Sequence, residues 1–154
     1  MGFHLAQINI ARLIAPLDDP GIAGFVAQLE SINALADCAP GFVWRLQSES
    51  GNATGIAWSD DPFVIVNMSV WDSIEALRDF AYHSKHRELL RDKARWFEKM
   101  DRPAYCMWWV PIGHRPGVAE GRERLVHYQD HGATPYSFWF SQPFPKPLEA
   151  PVSF

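Results

Sequence analysis

The chain predicts one α+β domain, an antiparallel sheet with helices gathered on one face and a C-terminal extension beyond it. Three observations carry this reading. Short stretches alternate apolar and polar residues with period two, longer stretches repeat apolar residues at spacings of three and four, and together they run β-α-β-β-α-β. With 154 residues and 47% hydrophobic content, the chain can bury a full-sized core without disulfide or metal staples. Residues 1–154 therefore read as a single domain, with the core over about 3–112 and the extension over about 113–154.

The first strand spans 3–11, with Ala6, Ile8 and Ile10 on one face and Leu5, Gln7 and Asn9 on the other. Asp18, Asp19 and Pro20 then supply an N-cap and a first-turn proline. Ile22, Phe25, Val26, Leu29, Ile32 and Ala36 follow as the buried stripe of a helix. Pro40-Gly41 breaks it, a second strand covers 42–47, and a polar loop surrounds 51–61. The third strand, 63–71, places Val64, Val66, Met68 and Val70 on one face and Ile65, Asn67 and Ser69 on the other. Asp72, with Glu75 three residues on, is placed to cap a second helix. Its stripe of Ile74, Leu77, Phe80 and Ala81 continues through Leu89, Leu90, Trp96 and Phe97 to Pro103, and a fourth strand covers 104–110.

This order is the ferredoxin-like plait, in which strands one and three are the central pair and both helices lie on one face. The apolar strand face is assigned to the helices. The opposite face, too apolar to meet water, is expected to be covered by a second copy or by the chain's own extension, and a homodimer is expected. The extension reads as a helix over 118–131 ended by Gly132, a short aromatic strand over 136–140, and an extended tail with Pro143, Pro145, Pro147 and Pro151.

A net charge of −4 without a Lys/Arg cluster excludes the concentrated basic face that nucleic acid demands. Arg87, Arg91, Lys93 and Arg95 alternate with Glu88, Asp92 and Glu98, as on a solvated helix face. The start MGFHLAQINIAR has no basic region followed by an apolar run, and no stretch approaches a membrane span. Cys38 and Cys106 lie far apart in apolar surroundings and read as buried thiols of a reducing compartment, the cytoplasm.

Signals for a nucleophile elbow, P-loop, dinucleotide fingerprint, zinc-protease helix or calcium loop are lacking. What stands out is Gln7, Asn9, Asn67 and Ser69 on strand faces that otherwise ask to be buried. Unpaired buried amides cost about 1–3 kcal/mol each, so these need partners, water or a ligand. They mark either a hydrogen-bonded ladder at a dimer seam or the floor of a small-molecule cavity walled by Trp44, Trp71, Trp108 and Trp109. Trp108 and Trp109 point to opposite faces. His83 and His86 are neighbours on helix two, and His86 is the candidate general base, with His83 as its alternative. His127 and His131 have metal-like spacing but read as surface residues, and His4 and His114 carry little signal. No metal site is expected.

The segments LAQIN at 5–9, INALAD at 32–37, PGFVWRL at 40–46, VNMSVW at 66–71 and WWVP at 108–111 resemble a bacterial domain-of-unknown-function family in the dimeric α/β-barrel superfamily. The resemblance covers about residues 3–145. Trp71-x-Ser73 followed by Ser84-Lys-His86 is similar to the antibiotic-biosynthesis monooxygenases, in which a serine and a histidine on this helix approach the cavity. It implies a homodimer with sheets packed face to face, one cavity per subunit and, in many relatives, cofactor-free oxidation of phenols or quinols. Haem-degrading relatives use a first-strand asparagine, matched by Asn9, a sheet tryptophan, matched by Trp44, Trp108 or Trp109, and a histidine further along helix two, where the stretch near Arg91 has none.

Three readings follow. In the first, a small-molecule protein without a cofactor, a monooxygenase if it is an enzyme, holds a polar ring substituent with Gln7, Asn9 and Asn67 while His86 withdraws a proton. In the second, the same amides serve only a dimer interface or a non-catalytic binding module. In the third, the chain binds haem.

Overall fold

The computed structural model describes residues 2–47, 57–83 and 95–147. Strand β1 (Phe3–Leu13) leads through a 3-10 turn (Pro20–Ile22) into α1 (Ala23–Asp37), then β2 (Phe42–Arg45) and β3 (Val64–Trp71). Helix α2 (Ile74–His83), a two-residue strand β4 (Phe97–Glu98), β5 (Tyr105–Pro111) and α3 (Val118–His131) complete the chain. β1 is central. It pairs antiparallel with β3 from Leu5↔Trp71 to Arg12↔Val64, and on its other edge with β5 from Phe3↔Pro111 to Asn9↔Tyr105 and with β4 at Arg12 and Leu13. With β2 antiparallel on the outside of β3, the order β2-β3-β1-β5 is that of the ferredoxin-like plait.

Local chemistry starts and ends the elements. Asp19 Oδ1 accepts the Gly21 N–H at 2.8 Å, the expected cap with proline in the first turn. The cap of α2 is Ser73 rather than Asp72, because Ser73 Oγ accepts the Ala76 N–H at 3.1 Å. Asp72 instead donates its backbone N–H to Gly41 O at 2.8 Å. Gly41 itself has φ +82°, and a Cβ there would lie 2.5 Å from the Ala76 Cβ, so the turn after α1 admits only glycine.

Several boundaries differ from those expected. Val26 is 43% exposed, because α1 buries only the narrow stripe of Phe25, Ile32 and Ala36. Cys38 is exposed as the C-cap of α1, whereas Cys106 is buried as expected. Trp96 and Phe97 do not belong to helix two. Phe97 is in β4, and Trp96 packs with Leu13, Ile22 and Phe25, so apolar residues of a turn and a strand imitated a helical stripe. The stretch carrying Ser84, His86, Leu89 and Leu90 lies outside the described residues, as do most of the 51–61 loop and Pro151. The aromatic strand over 136–140 is reduced to two isolated bridges, Met107↔Phe138 against the outer edge of β5 and Thr134↔Ser137 across a turn.

The largest departure concerns the two faces. Helices α1 and α2 pack on the mixed face. Leu77 and Phe80 of α2 meet Leu5, Trp71 and Met107, while Phe25 and Leu29 of α1 meet Leu13, Phe63 and Ile65. The purely apolar face, with Ala6, Ile8, Ile10, Val66, Met68, Val70, Cys106, Trp108 and Val110, is covered by Leu125 and Tyr128 of α3 and by Trp58. Alternation shows that a strand has two faces but not which one receives the crossovers. The right-handedness of the β-α-β connection decides that. The mixed face tolerates helices because Leu13 and Ile65 at one end and Leu5, Trp71 and Met107 at the other flank its polar centre. Of the two covers foreseen for the remaining face, the chain's own extension is the one present. Gly121 makes it possible: a Cβ there would stand 2.6 Å from Ile8 Cδ1, so α3 lies directly on β1 and β3.

Candidate functional site

Register brings the polar residues together. Gln7 lies opposite Ser69 and Asn9 opposite Asn67 on the central strand pair, all on the face that carries α1 and α2. Gln7, 5% exposed, donates both amide hydrogens of Nε2, one to Asn67 Oδ1 and one to Ser69 Oγ, each at 2.8 Å. Trp71 Nε1 donates to the same Ser69 Oγ, also at 2.8 Å. Ser69, 6% exposed, thus spends both lone pairs on neighbours.

Trp71 is itself fixed between rings, 5.5 Å from Phe42 and 5.2 Å from Phe80 by centroid. The result is a rigid polar ladder across two strands. Asn9 is the exception. Its Oδ1 is buried and has no hydrogen-bond partner among the described residues. It is flanked by Asn67, which is exposed, and by Tyr105, whose ring lies 4.3 Å from that of Trp139.

The tryptophans divide between faces. Trp44 and Trp108 point to the apolar side, among Val70 and Cys106, and cannot share walls with Gln7 or Asn9. Trp109 shares their face but turns into the C-terminal segment. Its Nε1 donates to Phe144 O at 2.9 Å and its ring lies 6.5 Å from that of Phe138. The tail therefore packs on the body as expected, and takes the place beside Trp109 that a ligand had been expected to fill. His83 is the last residue of α2, and His86 lies outside the described residues. Tyr105 and Trp139 were not among the expected wall residues. The parity of Tyr105 with Trp109 on β5 was the signal available for the first, and nothing local marks the second.

Asn9 shares a face with Trp109, whose N–H is committed to Phe144, and the helix-two stretch lies outside the described residues. Among the described residues no group of three or more His, Cys, Asp or Glu side chains could hold a metal ion. No described helix is long and apolar enough to cross a membrane.

Three solved structures are similar to this chain. A protein of unknown function from Nitrosomonas europaea superposes with a TM-score of 0.50 at 14% identity, covering 75% of this chain and 96% of that one. A candidate antibiotic biosynthesis monooxygenase from Chloroflexus aurantiacus gives 0.45 at 17% identity, over 73% of this chain and 97% of that one. A dabb family protein with a ferredoxin-like fold from Mesorhizobium loti gives 0.44 at 14% identity, over 73% and 100%. At such identities the likeness concerns the fold alone. No curated protein matches the sequence. The family model described as domain of unknown function DUF3291 matches residues 4–153, so the chain, with its plait, polar strand pair and C-terminal helix, belongs to that family.

Proposed function

We propose that the polar strand pair is the floor of a small-molecule site, and that its ligand is a phenol or quinol whose hydroxyl donates to Asn9. The unpartnered Asn9 Oδ1 carries this reading. A buried acceptor left unpaired costs about 1–3 kcal/mol, and Gln7 Nε2 is not free to relieve it, being spent on Asn67 and Ser69. A ring hydroxyl supplies the missing donor, and the Tyr105 ring beside Asn9 supplies an apolar flank.

The reaction that fits such a ligand is cofactor-independent monooxygenation. A quinol gives two electrons and two protons to dioxygen, one oxygen atom enters the ring to give a hydroxyquinone, and the other leaves as water. His86 is the base of this reading, with the role the resemblance implies for it. A homodimer belongs to the same reading, on a surface other than the face that α3 covers. So does a cytoplasmic location, supported by two free cysteines.

The test is ligand-induced stabilisation across a panel of phenols and quinols, followed by oxygen uptake with those that bind. Asn9→Leu is expected to raise the melting temperature of the free protein, since it removes an unsatisfied acceptor, and to abolish the ligand-induced shift. A panel without any shift, or an Asn9→Leu protein that binds as wild type does, would overturn the site. Binding without oxygen uptake would leave a binding protein and remove the oxygenase.

A further inference from the structure

A second constellation lies across the sheet from Asn9, where β5 meets α3. The His114 N–H closes a turn on Pro111 O at 3.0 Å, which sets the imidazole against the first turn of α3. There His114 Nε2 lies 2.6 Å from Glu120 Oε1, and Glu120 Oε2 accepts the indole N–H of Trp108 at 3.0 Å. Trp108 is fully buried, so the core holds the carboxylate from beneath and leaves its other oxygen for the imidazole. In the tautomer whose Nε2–H donates to Glu120, the lone pair of the ring lies on Nδ1, which is then the acceptor left for a ligand.

His114 and Glu120 border an open cleft of about 480 Å³. Val110 and Pro111 give it an apolar wall. Arg124, one helical turn beyond Glu120, lines it as well, and forms no ion pair with a described residue. Its guanidinium lies 3.9 Å from the Tyr136 ring centre and donates one Nη1 hydrogen bond, at 2.9 Å, to Tyr136 O. Its Nε is buried without a partner. Of the two carboxylates at the cleft, Glu120 is already engaged by two donors and Glu123 is exposed. A guanidinium outside any ion pair with a described residue, an apolar wall and an oriented acceptor together suit an anion with a ring and a hydroxyl.

We infer that this cleft is a second ligand site, for a small aromatic hydroxy acid. Arg124 pairs with its carboxylate, Val110 and Pro111 flank the ring, and His114 Nδ1, oriented by Glu120, accepts the hydroxyl hydrogen. The site stands independently of the one at Asn9.

Calorimetric titration with 4-hydroxybenzoate, benzoate and benzamide tests it. The hydroxy acid is expected to bind most tightly, benzoate several-fold more weakly, and benzamide not detectably. His114→Gln, a change at an exposed side chain, is expected to bring 4-hydroxybenzoate down to the benzoate level while leaving benzoate unchanged. Arg124→Gln is expected to weaken both acids about tenfold or more. Asn9→Leu is expected to leave benzoate affinity, and its loss in Arg124→Gln, unchanged. The inference is overturned if neither acid binds, if benzamide binds as benzoate does, if His114→Gln leaves the hydroxy acid unaffected, or if Asn9→Leu abolishes benzoate binding.

Discussion

Cys106 shows how burial alone sets a side chain's chemistry. It lies on the α3-covered face of β5, where desolvation pushes its thiol from 9.0 up to about 12, opposed by the charge of Arg124. A group whose folded pKa is raised stabilises the fold fully below its unfolded value and loses that contribution as pH climbs toward the folded one. The protein is therefore expected to weaken between pH 9 and 12. Tyr128, pushed up by burial and then by the charges of Tyr105 and Cys106, acts with the same sign. Urea unfolding at pH 8 and pH 10.5 is expected to show wild type losing about 1–2 kcal/mol more than Cys106→Ala, and equal losses would clear the thiol. Asp61 works in the opposite sense. Hydrogen bonding from the Arg12 guanidinium, at 2.8 Å, and from the Phe63 N–H holds its carboxyl below 3.8. That contribution is present above this value and lost as pH falls through the lowered one, so Arg12→Gln is expected to flatten the acid limb of a stability curve. Neither effect was legible from sequence, which located the residues but not the partner or the depth that shifts each group. The same is true of Asn9: strand parity put it beside Gln7 and Asn67, whereas only side-chain geometry left it as the unpaired member.

At the scale of elements, α3 is where sequence and packing pull apart most visibly. A glycine in mid-helix costs about 1 kcal/mol against alanine, so Gly121 is a poor choice for an isolated helix. Its value is contact: without a side chain, α3 approaches β1 and β3 closely enough to seal Ile8 and Met68. Alanine there meets only the far ends of Ile8 and Met68, which can swing aside. Leucine cannot be accommodated in the same way. Gly121→Leu is expected to destabilise by about 2–3 kcal/mol and to expose the apolar face, read by chemical denaturation and by binding of a hydrophobic dye. The helix itself was legible from 118 to 131, with Gly132 donating its N–H to Tyr128 O to end it. Helix two was less so, because Trp96 and Phe97 continue its spacing although they belong to a turn and to β4. Apolar periodicity reports burial, and over two or three residues burial by a strand or a turn looks the same.

For the whole molecule, the central place of β1 sets the hierarchy of stability. Its residues from Leu5 to Ile8 are paired with β3 on one side and β5 on the other, and all four are buried. Their amides are expected to exchange most slowly with deuterium. Those of β2, a four-residue strand with a register shift between Phe42 and Trp44, are expected to exchange faster, and the reverse order would overturn this account of the core. The sequence alone determined the plait, because apolar alternation, helical spacing and the Gly and Pro breaks are local properties that survive without a partner. It also determined that Gln7, Asn9, Asn67 and Ser69 share a strand face, since parity and plait order leave no other arrangement. Only the tertiary structure decided what covers each face. That choice depends on the hand of the crossovers and on a glycine that lets α3 lie flat on the sheet, and neither is a property of any single stretch. The polar pair therefore lies on the face that carries α1 and α2, Trp44 and Trp108 lie on the other side, and Glu120 and His114 meet at the end of β5, because chain connectivity and packing, not residue pattern, set those distances.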